Sequence, residues 1–76
     1  MDQLLKFLVS ALVEDEKSVE VNKEEGEGSI TYHVKVAEGD LGKVIGKNGK
    51  TANSLRTILK SVAAKEHKKV FVKFED

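Results

Sequence analysis

The chain is expected to fold as an α+β domain, with three helices packed on one face of a mixed three-stranded sheet. Three observations predict this. Apolar residues recur at helical spacing in residues 2–13 and 50–65 and alternate in residues 18–22, 30–36 and 70–74. Glycine-rich or acidic breaks separate these tracts. The element order is helix, strand, strand, helix, helix, strand.

In the first helix Asp2 is placed to cap the start, and Leu4, Leu5, Leu8, Val9 and Leu12 form one apolar stripe. Glu14-Asp15-Glu16 ends it. Ser18 to Asn22 alternates as a half-buried strand does. Glu24-Glu25-Gly26-Glu27-Gly28 reads as an acidic turn, after which Ile30, Tyr32, Val34 and Val36 define a longer strand. So short a link makes the pair an antiparallel hairpin. Asp40 is placed to cap a short helix from Leu41 to Ile45, Gly46 suits the left-handed position that ends it, and Asn48 is placed to cap the next. From Lys50 to Lys65 the set Ala52, Leu55, Ile58, Leu59, Val62 and Ala63 makes one core-facing stripe, with Arg56 and Lys60 on a shared exposed side. Glu66-His67-Lys68 forms a loop, and Val70, Val72 and Phe74 alternate with Phe71 and Lys73 in the last strand. The strand–helix–helix–strand crossover requires parallel strands and a right-handed connection. Residues 1–76 are expected to form one domain, with residues 29–76 as its core unit and residues 1–28 as an added helix and strand.

Composition narrows the chemistry. With no cysteine there is neither a disulfide nor a thiolate metal site, and His33 and His67 fall in different elements. No metal or other cofactor is expected. No apolar run approaches the length of a membrane span, and the start lacks the marks of a signal peptide, so the expectation is a cytoplasmic protein. Formal charge is zero but unevenly placed. Residues 1–40 hold ten acids and four bases, net −6, whereas residues 41–65 hold Lys43, Lys47, Lys50, Arg56, Lys60 and Lys65 and no acid, net +6. A basic face on a neutral chain attracts polyanions locally. The alternative is a solvated lysine face that does nothing more.

The cationic segment coincides with an unusual bend. Val44-Ile45 runs into Gly46-Lys47-Asn48-Gly49, and a helical pattern starts at once with Lys50-Thr51-Ala52. Glycines three apart let the backbone turn sharply and approach another molecule closely. A new helix start aims free N–H groups outward, which favours an anion such as phosphate. Taken alone, four such residues could equally be a tight helix–helix corner.

Other phosphate and catalytic motifs fail. Gly49-Lys50-Thr51 resembles the end of a P-loop, but the required glycine five residues earlier is Val44, and a helical turn rather than a strand precedes the bend. There is no Gly-x-Gly-x-x-Gly fingerprint. No serine sits in a nucleophile elbow, and no group is paired with a base and an orienting partner, so an enzyme is not expected.

The stretch Gly42-Lys43-Val44-Ile45-Gly46-Lys47-Asn48-Gly49-Lys50-Thr51-Ala52 closely resembles the signature of the KH domain, a single-strand nucleic-acid binder whose Gly-x-x-Gly loop clamps backbone nucleotides. The element order resembles the type II, bacterial form of that fold. The resemblance covers essentially the whole chain. It is most specific over residues 41–65 and weakest over residues 1–28, where only the helix–strand pattern matches.

The resemblance implies a groove holding about four unpaired RNA nucleotides. Gly46 and Gly49 would let the sugar–phosphate backbone press on the main chain. Lys47, Asn48, Lys50 and Thr51 would form the grip, and Lys43 would add charge. Val44, with Leu41 and Ile45, would supply the groove floor, and Lys68 its rim. The resemblance also implies pairing with a second copy or with another KH-containing protein, and a role in RNA chaperoning or post-transcriptional control linked to cell elongation and division. A protein-interaction adaptor that keeps the fold is the competing expectation, and single-stranded DNA is an alternative ligand.

Overall fold

The computed structural model describes all residues 1–76. It contains α1 (Asp2–Leu12), β1 (Glu20–Gly26), β2 (Ser29–Lys35), α2 (Leu41–Ile45), α3 (Lys50–Ala64) and β3 (Lys69–Glu75), with single 3₁₀ turns at Glu16–Ser18, Glu38–Asp40 and Lys47–Gly49. The sheet order is β1-β2-β3. β1 pairs antiparallel with β2 from Glu20↔Lys35 to Gly26↔Ser29, and β2 pairs parallel with β3 from Ser29↔Lys69 to Lys35↔Glu75. The expected α+β class, mixed sheet and crossover are all present.

The strand alternation sets the layers. Ile30, Tyr32 and Val34 of β2 and Val70 and Val72 of β3 point inward and are buried, whereas Thr31, His33, Phe71 and Lys73 point to the other face. The helices cover the inner face with Leu5 and Val9 of α1, Val44 of α2 and Leu59 and Ala63 of α3. These short apolar side chains hold a 76-residue chain together without a disulfide. A core this small leaves little margin for a cavity.

Several local expectations are corrected. The hairpin is paired through Gly26, so the acidic tract is mostly strand and only Glu27 and Gly28 form the turn, with Gly28 at φ +71°. β1 begins at Glu20 because residues 16–18 close a 3₁₀ turn. The apolar stripe of α1 is wider than its contact with the sheet. Leu5 and Val9 are buried, while Leu4 and Leu12 remain partly in solvent. In α3, Ile58 is likewise 42% exposed.

Of the three expected caps only Asp40 stands at the N-cap position, and none of the three side chains makes a capping hydrogen bond. Met1 is the N-cap of α1, and Asp2 instead accepts a 2.6 Å hydrogen bond from the Tyr32 hydroxyl. That bond holds the Asp2 carboxyl below its usual range, while burial and the same bond push the Tyr32 phenol up. Asp40 is 4% exposed and reaches back across the sequence. Its carboxylate accepts from the backbone N–H of Asp15 at 3.0 Å and of Glu14 at 3.3 Å, fastening the end of α1 to the start of α2. These backbone bonds lower its pKa. Asn48 does not cap α3; Gly49 occupies that position.

Candidate nucleic-acid interface

Three of the four residues of the bend adopt conformations that disfavour regular helix. Gly46 lies at φ +78°, ψ 174°, Asn48 at φ +56°, ψ 27° and Gly49 at φ +75°, ψ 10°. Asparagine tolerates the left-handed region better than most side chains do, and the Gly46 conformation is essentially closed to anything but glycine. The Gly46 N–H closes α2 by donating to the Gly42 carbonyl at 2.9 Å. The N–H of Gly49 donates to Gly46, and that of Lys50 to Lys47. The first turn of α3 then leaves backbone donors at its start that have no partner within the helix.

The two glycines have different reasons to be there. A Cβ on Gly46 would lie 2.9 Å from the Thr51 backbone nitrogen and 2.6 Å from the Thr51 Cβ. The space beside Gly46 is therefore filled by the first turn of α3 and is not left for a ligand. A Cβ on Gly49 would meet only the Asn53 amide, at 3.9 Å. Gly49 faces open space, so close approach of another molecule is possible there. Thr51 thereby acts as the packing partner of Gly46, half-buried behind the bend.

Lys47, Asn48 and Lys50 are exposed, and neither lysine forms an ion pair. Lys43 differs. Its ammonium lies 2.7 Å from Glu14 and 3.5 Å from Asp40, and the Glu14 contact raises its pKa. Two carboxylates thus hold the Lys43 charge and lower what it can offer to a phosphate. Val44 is wholly buried in the core. Its side chain supports the bend from below and cannot floor a groove, which corrects that expectation. Ile45 and Leu41 are half-buried and remain the apolar surface of α2.

The structure separates Lys68 from the other candidates. It follows the end of α3, whereas the bend precedes its start. The 15 residues of α3 put about 22 Å of helix between them. The residues that link the two ends were not foreseen as site residues. Arg56 donates from Nε to the Val72 carbonyl at 3.2 Å and from Nη1 to Asn53 Oδ1 at 3.2 Å. Its guanidinium lies 5.5 Å over the Phe74 ring. It therefore spans the groove between α3 and the free edge of β3. Beyond it, Lys60, Lys68, Lys69, Val70 and Phe71 line a cleft of about 390 Å³. The spacing of Asn53, Arg56 and Lys60, three and four apart, is the signal that marks this side of α3.

The chain is similar to known proteins. The family described as KhpA/KhpB, KH domain, matches residues 2–74. The RNA-binding protein KhpA of Caldanaerobacter subterraneus subsp. tengcongensis is 47% identical over 72 residues, which cover 95% of this chain and 96% of that protein. The protein of the same name from Chlamydia trachomatis is 40% identical, covering 92% and 90% of the two chains, and that of Listeria monocytogenes is 37% identical, covering 92% of each. Among solved structures, Era bound to a nucleotide analogue with magnesium and to a segment of 16S ribosomal RNA is similar in fold. Its TM-score is 0.62 at 17% identity, with 97% of this chain and 28% of that chain covered.

Proposed function

The chain belongs to the KhpA/KhpB family of KH domains, and from that premise we propose that it binds single-stranded RNA at the Gly46-Lys47-Asn48-Gly49 bend. The observation that carries this reading is the bend itself, exposed, bare of a side chain at Gly49 and flanked by two unpaired ammonium groups. An RNA backbone would lie against Gly49, with Lys47 and Lys50 beside its phosphates and the N–H groups at the start of α3 directed at the phosphate oxygens. Asn48, held left-handed, turns its amide outward to the same strand. The strand would continue along the α3–β3 groove past Asn53 and Arg56. The activity proposed here is binding. No helix is long and apolar enough to cross a membrane, and an RNA ligand would support the expected cytoplasmic location. The names of the relatives support RNA as the ligand class. A role in chaperoning or regulating RNA linked to cell elongation, and pairing with a second copy or another KH-containing protein, rest on the family resemblance alone. With a shallow grip of two or three charges, pairing would raise the affinity by joining two binding sites.

A protein-interaction adaptor is the second reading, and one observation favours it. Phe7 is 72% exposed, with Leu4 and Leu12 on the same helix also reaching solvent. The double variant Lys47→Asp, Asn48→Asp separates the two readings. RNA clamping predicts a folded variant by circular dichroism that loses at least tenfold in filter binding of single-stranded RNA. Undiminished RNA retention, or a parent that binds no RNA at low salt, would favour the adaptor.

A further inference from the structure

We propose that the far end of α3 carries a second nucleotide subsite, where a base of an unpaired RNA stacks on Phe71 while Lys60, Lys68 and Lys69 hold the phosphates beside it. The proposal rests on the RNA-binding reading above and extends it to a surface about 22 Å from the bend.

Three features of this cleft fit a nucleotide. Phe71 is 53% exposed although both its neighbours, Val70 and Val72, are buried, because strand alternation turns it onto the open face of the sheet. A large aromatic surface left in water gains free energy when it is covered. No acid lines the cleft, and none of its three lysines takes part in an ion pair, although Glu25 lies near enough to Lys68 to feel its charge. Lys73 adds a fourth ammonium two residues along, opposite His33 on the same face. An exposed aromatic face among unpaired cations is the combination by which single strands are held without regard to sequence. Its volume, about 390 Å³, lies within the range of small-ligand sites, about 300–1,000 Å³.

Basic residues lie between the two sites. Arg56 lies midway, half-buried across the α3–β3 groove, and Lys60 follows one turn later at the entrance to the cleft. At about 3.4 Å per stacked nucleotide, 22 Å corresponds to roughly six nucleotides. A strand of four would fill the bend and its groove, and only a longer one would reach Phe71.

The test uses the full chain and random-sequence RNA pools of four and twelve nucleotides in filter binding at low salt. The parent is expected to bind the longer pool more tightly. Phe71→Ala is expected to weaken twelve-nucleotide binding roughly fivefold or more and to leave four-nucleotide binding unchanged. The protein has no tryptophan, so Phe71→Trp introduces a single reporter. Its fluorescence should be quenched by the longer pool and not by the shorter. Unchanged twelve-nucleotide binding by Phe71→Ala would overturn the subsite, as would equal loss at both lengths. A change in sedimentation mass with unaltered RNA binding would instead assign Phe71 to a protein contact. Failure of the parent to bind either pool would remove the RNA reading itself. A parent that binds both pools equally would remove the subsite alone.

Discussion

The acidic first 40 residues and the basic segment that follows use charge in opposite ways. Six of the ten carboxylates of the first region have hydrogen-bond or ion-pair partners. Asp2 accepts from Tyr32, Asp40 from the amides of Glu14 and Asp15, Asp15 from Ser18, and Glu14, Glu24 and Glu25 pair with Lys43, His33 and Lys23. In residues 41–65 only Lys43 is in an ion pair, and Arg56 is bound to a carbonyl and an amide. Lys47, Lys50, Lys60 and Lys65 have no acid partner. A formal net charge of zero therefore conceals a molecule in which many acids of one region are paired while most cations of the other have no acid partner. The exposed surface pairs contribute little to stability; their consequence is to leave the bend as the main uncompensated field.

The comparison can be strained first at the hinge between the regions. Gly46→Ala combines a backbone conformation closed to alanine with a clash against the start of α3. It is expected to cost about 2–3 kcal/mol, enough to lower Tm by roughly 10 °C or more. Chemical denaturation checks this. A loss below about 0.5 kcal/mol would mean that the bend relaxes freely and is not preorganised.

Asp40→Asn breaks the internal use of charge. The fastening of α1 to α2 loses its ionised acceptor, and Tm is expected to fall by roughly 5–10 °C at neutral pH. The pH dependence has a definite sign. The folded state holds the Asp40 carboxyl below its ordinary value, so its stabilisation is complete above the usual carboxylate range. It is lost as pH falls through and below about 4, while the proton goes on. The difference in Tm between parent and variant should therefore shrink in acid. A constant difference would deny the carboxylate this role.

Much of this fold was legible in the residues. Periods of two and near 3.6 identified the three strands and the two long helices, residues at its ends marked the short helix α2, and the hairpin link and the crossover set the strand directions. What pattern could not give was the choice among partners for a short polar side chain. Asp40 stands just before α2 and could have capped it, yet its partners lie 25 and 26 residues back. Asp2 likewise finds Tyr32, 30 residues on. An apolar stripe also does not state how wide a surface will meet it, so Leu4, Leu12 and Ile58 read as core and lie partly in solvent. At the site, the positive-φ bend and its lysines were visible as sequence. The distinct reasons for Gly46 and Gly49 were not, since only the fold brings Thr51 against Gly46. Nor could loop position show that Lys68 joins Lys60 and Lys69 at the opposite end of α3.

The free cations of the basic region are tested most directly by the salt dependence of single-stranded RNA binding. Two or three neutralised phosphates predict that log K falls against log salt with a slope of about −1.4 to −2. Replacing Lys47 and Lys50 together with glutamine should reduce that slope by about 1.4 while circular dichroism stays unchanged. A flat response in the parent, or the same slope with both lysines removed, would contradict the placement of RNA at the bend.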